Sequence, residues 1–346
     1  MNKNIKKLLL GSVSILMVTS MLLAGCGVQT GQPSSSTNAS GKSSGKKTIA
    51  MVPKVIGSPY FDIAADGAKQ AGKDLGVNII YDGPTSADAA QQVNIIQDLI
   101  TKKVDAIAVS PNDPSAVAPI LKKARAAGIK VLTYDSDSNK DARDIFVDQV
   151  SAEALGRHIM DNVAKEIGGK GEFAILTASL TAFNQNTWIK WMKVQLKDKY
   201  PDIKLDTIAP SEEDQQKALS QTENLIKAYP NLKAIAALST VAEPGAAQAI
   251  EQMGMDGKVK LVGLATPSGM KQFLKSGAAQ SATLWDPKKL GYLTISIAND
   301  LLNGKTPSDG EDVKNVGKIK YITSNNEVIM GDPLDFTKDN VDQFGF

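Results

Sequence analysis

The sequence predicts an α/β protein made of two lobes with parallel sheets. Its 346 residues suffice for two domains of ordinary size. From residue 48 almost to the end, short runs rich in β-branched residues alternate with longer stretches of helical period, as in strands joined by helical crossovers. Two pieces also recur in the same order, 105–110 before 128–132 and 233–238 before 257–261, which favours two lobes of similar topology.

The chain opens with an export signal. Three lysines precede an apolar run at 8–23, which is the charged-then-apolar order of such signals. The run ends in the letters LAGC at 23–26, which resemble the bacterial lipobox, and this resemblance implies cleavage before an acylated Cys26. We therefore expect residues 1–25 to be a lipoprotein signal peptide and Cys26 to be the lipid attachment site. An uncleaved membrane anchor, or an ordinary secretory signal with an unrelated thiol, is the alternative.

A flexible tether is predicted at 26–47. Gly and Ser dominate this stretch, which offers almost nothing to bury. The formal net charge of the whole chain is +2, but residues 1–25 hold three lysines and no acid, and the tether holds three more lysines, so the remainder carries −4. A mildly acidic body has no positive field that would attract nucleic acid, and we expect no such partner.

Strands and helices are predicted in alternation after the tether. The strands are expected at 48–53, 77–81, 106–110, 130–134, 145–147, 172–177, 204–209, 234–238, 258–263 and 280–284. Among the helices that join them are 60–75, 87–102, 114–127, 151–167 and 184–199.

Several kinds of chemistry are disfavoured by the residues present. One Cys and one His are too few for a Cys/His zinc site, and the only His, His158, lies inside a predicted helix, where it cannot join a Ser/His/Asp relay. The loop after the first strand, 53–58, lacks the Gly-x-Gly-x-x-Gly of dinucleotide binding. The stretch 135–139 opens like a calcium loop, but Lys140 and Phe146 stand where that loop needs Gly and Glu. We therefore predict no catalytic residue, no metal and no cofactor.

Polar side chains follow the predicted strands, where parallel sheets bind their ligands. These residues are Lys54, Asp135, Asn184, Gln185, Ser239, Thr240, Trp285 and Asp286. One Lys, two Asp, neutral hydrogen-bonding groups and an aromatic ring suit a small polyhydroxylated molecule. The competing interpretations are a solvated charge for Lys54 and a helix N-cap for Asn184. For Trp188 and Trp191, three residues apart on one helical face, core packing is expected.

Six short segments occur in the order of a known family over nearly the whole chain after the tether. They read IAMVPK at 49–54, YDGPT at 81–85, LTYDSD at 132–137, NQNTW at 184–188, IKAYP at 226–230 and LWD at 284–286. On these segments the chain resembles the periplasmic binding proteins of the ribose/galactose type (type I), and most closely the Lsr-type autoinducer-2 (AI-2) receptors and their rhamnose-binding relatives.

The resemblance implies two Rossmann-like lobes joined by three hinge crossings. It assigns 48–148 and 286–314 to the N-terminal lobe, and 149–285 and 315–346 to the C-terminal lobe. The hinges are expected near 148–149, 284–285 and 313–315. A ligand would be enclosed between the lobes and delivered to a membrane permease of the ABC class by a monomeric receptor, lipid-anchored on the outer face of the cell membrane.

The resemblance also implies roles for individual residues. Lys54 and Asp135 match the Lys and Asp that hold the borate-free cyclic tetrahydroxy form of AI-2, and Tyr60 and Trp285 match positions that line the pocket. Asn184-Gln185 matches an Asp-Gln pair of the family, and the Asn is a departure that removes a negative charge.

A second departure lies at 238–240, where Leu-Ser-Thr stands in place of Pro-Asp-Ala, so that Leu238 and Thr240 join the expected ligand-binding set. The implied ligand is AI-2, with rhamnose or another monosaccharide as the alternative. An enzyme on the same α/β scaffold is the alternative from a different class.

Overall fold

The computed structural model describes residues 45–346 as alternating strands and helices. The strands are β1 (Thr48–Val52), β2 (Asn78–Tyr81), β3 (Ala106–Val109), β4 (Lys130–Tyr134), β5 (Ile145–Val150), β6 (Gly171–Thr177), β7 (Ile203–Pro210), β8 (Leu232–Ala237), β9 (Lys260–Leu264), β10 (Ser281–Leu284), β11 (Asp312–Val313), β12 (Gly317–Lys318), β13 (Lys320–Ile322), β14 (Glu327–Gly331) and β15 (Leu334–Phe336). The helices are α1 (Pro59–Leu75), α2 (Ala89–Thr101), α3 (Pro114–Ala126), α4 (Ala152–Glu166), α5 (Phe183–Lys199), α6 (Gln215–Ala228), α7 (Ala242–Gln252), α8 (Pro267–Ser276) and α9 (Pro287–Leu302).

Two sheets form the centres of two lobes. The seven-stranded sheet runs in the order β13-β14-β5-β4-β3-β1-β2, and the six-stranded sheet in the order β15-β10-β9-β8-β6-β7. All pairings in them are parallel except β13 with β14 and β10 with β15. This confirms the predicted α/β fold class with two lobes, and each of the ten predicted strands overlaps one of β1 to β10.

Burial on both faces explains why the strands could be recognised. Every residue of β3 and every residue of β10 is buried. A parallel sheet covered by helices on both sides selects continuous apolar, β-branched runs rather than alternating ones. The carboxyl ends of these strands carry the loops that form the site described below.

Helices α1 and α9 of the first lobe pack with their backbones in contact. A Cβ atom added at Gly67 would overlap the carbonyl oxygen of Lys288, and one at Gly291 would overlap that of Ala64. Only glycine permits this approach at both positions. The close packing fixes α9, and with it Trp285, which lies two residues before the helix begins.

The carboxyl-terminal segment corrects the predicted lobe assignment. Residues 315–346 were expected in the C-terminal lobe, but β13 and β14 belong to the seven-stranded sheet, where β14 pairs in parallel with β5. The chain enters the six-stranded sheet only at β15, so the last crossing lies at 332–333 and not at 313–315, which falls within the small hairpin of β11 and β12. The prediction was wrong because these short strands are joined by turns and lack the helical crossovers that marked β1 to β10.

The other two crossings follow β5 and β10. The chain leaves the first sheet after Val150 and begins α4, which packs on β8 and β9, and it returns between Leu284 and Pro287. None of the helices within 45–346 is both long and apolar enough to cross a membrane. The predicted signal peptide at 1–25, Cys26 and most of the predicted tether at 26–47 lie outside the described residues.

Candidate functional site

A cavity of about 370 Å³ lies where loops of the two lobes meet. We call it the ligand cavity. Its lining residues are Lys54, Ser58, Tyr60, Phe61, Asp135, Asn184, Gln185, Trp188, Glu213, Leu238, Ser239, Thr240, Leu264, Leu284 and Trp285.

Eight of the nine ligand-binding residues expected from the sequence line this cavity, and Asp286 does not. Its carboxylate accepts hydrogen bonds from the backbone N–H groups of Lys288 and Lys289, at 2.9 and 3.3 Å, and so caps helix α9. A carboxylate at a helix N-terminus satisfies otherwise unpaired N–H groups. The assignment of Asp286 to the ligand site is therefore corrected to a helix cap.

Asp135 is held rigidly at the cavity wall. Its carboxylate accepts hydrogen bonds from the Tyr60 hydroxyl at 3.0 Å and the Ser110 hydroxyl at 2.7 Å, and lies 3.7 Å from Lys54 Nζ. The side chain of Gln149 donates to the Asp135 carbonyl oxygen at 3.2 Å. The backbone at Asp135 has φ of 61°, a left-handed conformation that Asp tolerates and that is common at functional positions.

The loop carrying Lys54 is fixed by buried amides that were not predicted from the sequence. The Gln92 side chain donates to the carbonyl oxygens of Pro53 and Ser110, and accepts from the Asn112 N–H. The Asn112 amide in turn donates to the Lys54 carbonyl oxygen at 2.8 Å. Gln92 occupies a fully buried position on helix α2, and a polar residue at such an apolar position was the available signal.

A direct hydrogen bond between Lys54 and Asn184 joins the two lobes across the ligand cavity. Lys54 Nζ donates to Asn184 Oδ1 at 3.2 Å, and both side chains are buried. Asn184 lies in the first turn of α5 but is not its N-cap, which is Ala182. Its Oδ1 also accepts from the backbone N–H of Gln185 at 2.9 Å. The side-chain amide of Asn184, which the sequence assigns to the C-terminal lobe, thus contacts Lys54 of the N-terminal lobe.

Gln185 presents its amide nitrogen to the ligand cavity. Its Oε1 accepts hydrogen bonds from the Thr177 hydroxyl at 2.5 Å and from the Ala178 N–H at 2.6 Å. With the oxygen occupied by two donors, the NH₂ group is the part left to donate to a bound molecule. The oxygen and nitrogen of the amide are assigned from these hydrogen bonds.

Three aromatic rings of the cavity wall, those of Tyr60, Trp188 and Trp285, pack near one another. The ring centroids of Tyr60 and Trp285 are 6.0 Å apart, and those of Trp188 and Trp285 are also 6.0 Å apart, both in edge-to-face geometry. Trp285 Nε1 donates to the Tyr60 hydroxyl at 2.9 Å, which itself donates to Asp135. Trp188 is buried and lines the cavity, whereas Trp191 lies half-buried beneath the Arg157 guanidinium.

Burial sets the protonation of two groups at the wall. Burial, together with the nearby Asp135 charge, raises the pKa of the Tyr60 phenol well above its usual value, so Tyr60 stays a hydrogen-bond donor. Burial also raises the pKa of the Glu213 carboxyl, and the Asp135 charge adds to this effect while Lys54 and the Ser239 hydroxyl oppose it. The basic and acidic side chains that line the cavity are Lys54, Asp135 and Glu213.

Glu213 was missed by the sequence analysis. It follows β7, and φ is 55° at Glu212 and 54° at Glu213, so two successive side chains sit on left-handed backbone. The candidate residues predicted from the sequence follow other strands, and none lies in the loop after 204–209. That loop lies at the same edge of the sheet, and the strand-end rule would have included it.

The second aspartate of the 135–139 stretch does not line the ligand cavity. Asp137 is buried and pairs with Arg143 through two contacts of 2.6 and 2.7 Å. Arg143 also donates to the carbonyl oxygens of Asn325 and Asn326, both at 3.0 Å, which ties this loop to the hairpin of β13 and β14. Within residues 45–346, no group of three or more His, Cys, Asp or Glu side chains is arranged to hold a metal ion.

Comparisons with known proteins agree on one family. Residues 49–306 match the family described as periplasmic binding protein domain. The ribose import binding protein RbsB of Bacillus subtilis is 24% identical over 300 residues, which cover 85% of this chain and 94% of that protein.

Two solved structures are also similar. An ABC transporter solute binding protein from Clostridium phytofermentas with bound L-rhamnose is 33% identical, with a TM-score of 0.83 and coverage of 87% of this chain and 98% of that one. LsrB from Clostridium saccharobutylicum in complex with AI-2 is 27% identical, with a TM-score of 0.81 and coverage of 86% and 100%.

Proposed function

The chain belongs to the periplasmic binding protein domain family, and from that premise we propose that it is the solute-binding receptor of an ABC importer. Its ligand is AI-2 in the borate-free cyclic tetrahydroxy form. The observation that carries the proposal is the ligand cavity itself, in which Lys54 and Asp135 of the first lobe face Asn184 and Gln185 of the second. The similarity to the AI-2 complex of LsrB supports this ligand.

The cavity offers what a small polyol requires. Lys54 and the Gln185 amide donate hydrogen bonds, carboxylates accept them, and the ring of Trp285 provides a flat apolar surface for the carbon face of the molecule. Because the groups come from both lobes, all of them contact the ligand only when the lobes are closed, and binding therefore favours closure.

Delivery follows from the location that we propose. The protein is extracytoplasmic, and a lipid on Cys26, followed by a Gly- and Ser-rich stretch, keeps the receptor near its permease while leaving the lobes free to close. The receptor acts as a monomer, its partners are the ligand and the permease, and it carries out no chemistry on the ligand.

Rhamnose or another monosaccharide is the second candidate ligand. Asn184 and the Thr240 hydroxyl add donors where the resemblance expects a carboxylate and an alanine, and the similar Clostridium phytofermentas protein has L-rhamnose bound. An enzyme on the same α/β scaffold is the alternative from a different class, and chemical conversion of the bound molecule would support it.

Native mass spectrometry and titration calorimetry test the proposal. Purified protein is offered AI-2, L-rhamnose, D-ribose and D-arabinose, and each mixture is then denatured so that the released molecule can be identified. We expect AI-2 to bind most tightly and to be released unchanged. Tighter binding of a monosaccharide would show that AI-2 is the wrong ligand. Release of a chemically altered molecule would show that the protein is an enzyme and not a receptor.

A further inference from the structure

We propose that Glu213 is the carboxylate with which the second lobe accepts hydrogen bonds from the hydroxyl groups of the bound ligand, and that it sets the affinity together with Lys54. The inference rests on the proposed function, since it concerns how the same cavity recognises a polyhydroxylated molecule.

The position of Glu213 is the first argument. A second cavity of about 640 Å³ adjoins the ligand cavity, and we call it the outer cleft. Its lining residues are Lys54, Ala87, Ala89, Asn112, Asp113, Ala178, Ser179, Thr181, Ala182, Glu212 and Glu213. Among the described residues, Lys54 and Glu213 are the two that line both cavities. A basic side chain of one lobe and an acidic side chain of the other therefore lie at the boundary between the ligand cavity and the outer cleft.

Several acceptor atoms in the wall of the ligand cavity already accept hydrogen bonds from the protein. Each oxygen of Asp135 already accepts one hydrogen bond, from the Tyr60 or the Ser110 hydroxyl, while Asn184 Oδ1 and Gln185 Oε1 accept two each. A polyol brings several O–H donors, and an enclosed donor without an acceptor is unfavourable. The Glu213 carboxylate also lines the cavity and can accept several hydrogen bonds.

The backbone provides the third argument. Consecutive left-handed conformations at Glu212 and Glu213 are unfavourable for side chains of this kind and persist where the surroundings impose them. Here they place one glutamate at the ligand cavity and its neighbour only at the outer cleft. Glu212 thus shares the backbone conformation and chemistry of Glu213 without its position, which makes it a matched control.

Titration calorimetry of four variants tests the inference. With the tightest-binding ligand of the panel above, Glu213→Gln should bind roughly 10-fold more weakly or worse, because a hydrogen bond to a charged acceptor becomes a neutral one. Glu212→Gln should stay within roughly twofold of the parent. Adding Asn184→Asp to Glu213→Gln puts a carboxylate back on the same wall and should recover most of the loss. Asn184→Asp alone should not improve binding, since it adds a second negative charge beside Glu213.

A pH series separates contact with the ligand from a merely structural role. Ionised Glu213 is needed for binding and its pKa is raised by burial, so the parent should lose affinity on acidification at a higher pH than an ordinary carboxylate would dictate. This acidic limb should be absent from Glu213→Gln. Circular dichroism checks the fold, and Glu213→Asn, a residue that tolerates left-handed backbone, replaces Glu213→Gln if that variant is unfolded.

The outcomes are distinguishable. Parent-like affinity and an unchanged acidic limb in Glu213→Gln would refute the role of Glu213 while leaving the proposed function in place. A loss of affinity that Asn184→Asp does not restore, together with an unchanged acidic limb, would refute it as well. A parent that binds no member of the panel would refute the proposed function and the role of Glu213 with it.

Discussion

Replacing Asp135 by Asn removes one charge from the ligand cavity at nearly constant shape. Asn tolerates the left-handed backbone found at this position, so the loop after β4 should keep its path. The substitution turns one acceptor oxygen into an NH₂ group. That group faces one of two hydroxyl donors, because Tyr60 donates to Oδ1 and Ser110 to Oδ2 in the parent. It also leaves Lys54 without its nearest carboxylate.

The size of the effect can be estimated from these contacts. Lys54 Nζ and the Asp135 carboxylate are 3.7 Å apart, which corresponds to about 4 kcal/mol of attraction at an effective dielectric constant near 20, before the desolvation of both groups is subtracted. A hydrogen bond from the ligand to a charged acceptor contributes on the order of 1.5 to 3 kcal/mol. We therefore expect Asp135→Asn to weaken binding roughly 10- to 150-fold.

Titration calorimetry measures this change, and the chain offers a matched control. Asp286→Asn is the same chemical substitution at a carboxylate that caps α9 and does not line the cavity. Asn is as good an N-cap as Asp, so affinity and thermal stability should both stay close to the parent. The reasoning fails if Asp135→Asn binds within threefold of the parent, or if Asp286→Asn is weakened as strongly as Asp135→Asn.

Four further outcomes are expected. Cys26→Ser should release the protein from the membrane with ligand affinity intact, and fractionation that still finds it membrane-bound would contradict lipid attachment there. Small-angle scattering should give a smaller radius of gyration at saturating ligand, and an unchanged profile would exclude lobe closure. The hydrogen bond to Asp335 raises the pKa of His158. The contribution of this pair to folding stability should therefore be complete below about pH 6.5 and disappear as the pH rises through the raised pKa. The difference in melting temperature between the parent and His158→Gln should shrink from pH 6 to pH 9, and a constant difference would exclude this linkage. Gly291→Ala should lower the unfolding free energy in urea by roughly 1 to 3 kcal/mol or more, because its methyl group would overlap the Ala64 carbonyl, and an unchanged value would contradict that close packing.

Much of the fold was predictable because burial leaves a periodic trace in the sequence. Strands β1 to β10 are apolar runs bounded by helices, and the family resemblance drawn from six short segments is confirmed. The β13 and β14 hairpin was misassigned because short strands joined by turns carry no such period. Which sheet receives them depends on pairing with β5, which no local pattern encodes.

The candidate site was predictable to the extent that it follows strand ends. Lys54 and Asp135 come directly after β1 and β4, and a topological rule is enough to bring them to one edge of the sheet. Asp286 also follows a strand, yet it caps helix α9, which begins directly after it. A carboxylate between a strand and a helix can either bind a ligand or cap the helix, and the sequence does not distinguish the two. Gln92 supports the site from within a helix, and only the tertiary packing shows which loop its amide reaches.

The positions of the tryptophans should make ligand binding visible in the intrinsic fluorescence of the protein. Of the three tryptophans in the chain, Trp188 and Trp285 face the ligand cavity and Trp191 lies outside it. Indole emission depends on the polarity and hydration around the ring. A ligand that displaces water from the cavity should therefore change the emission of Trp188 and Trp285. Occupancy is thereby encoded in the ultraviolet emission of the unlabelled protein, with Trp191 supplying an internal baseline in the same spectrum.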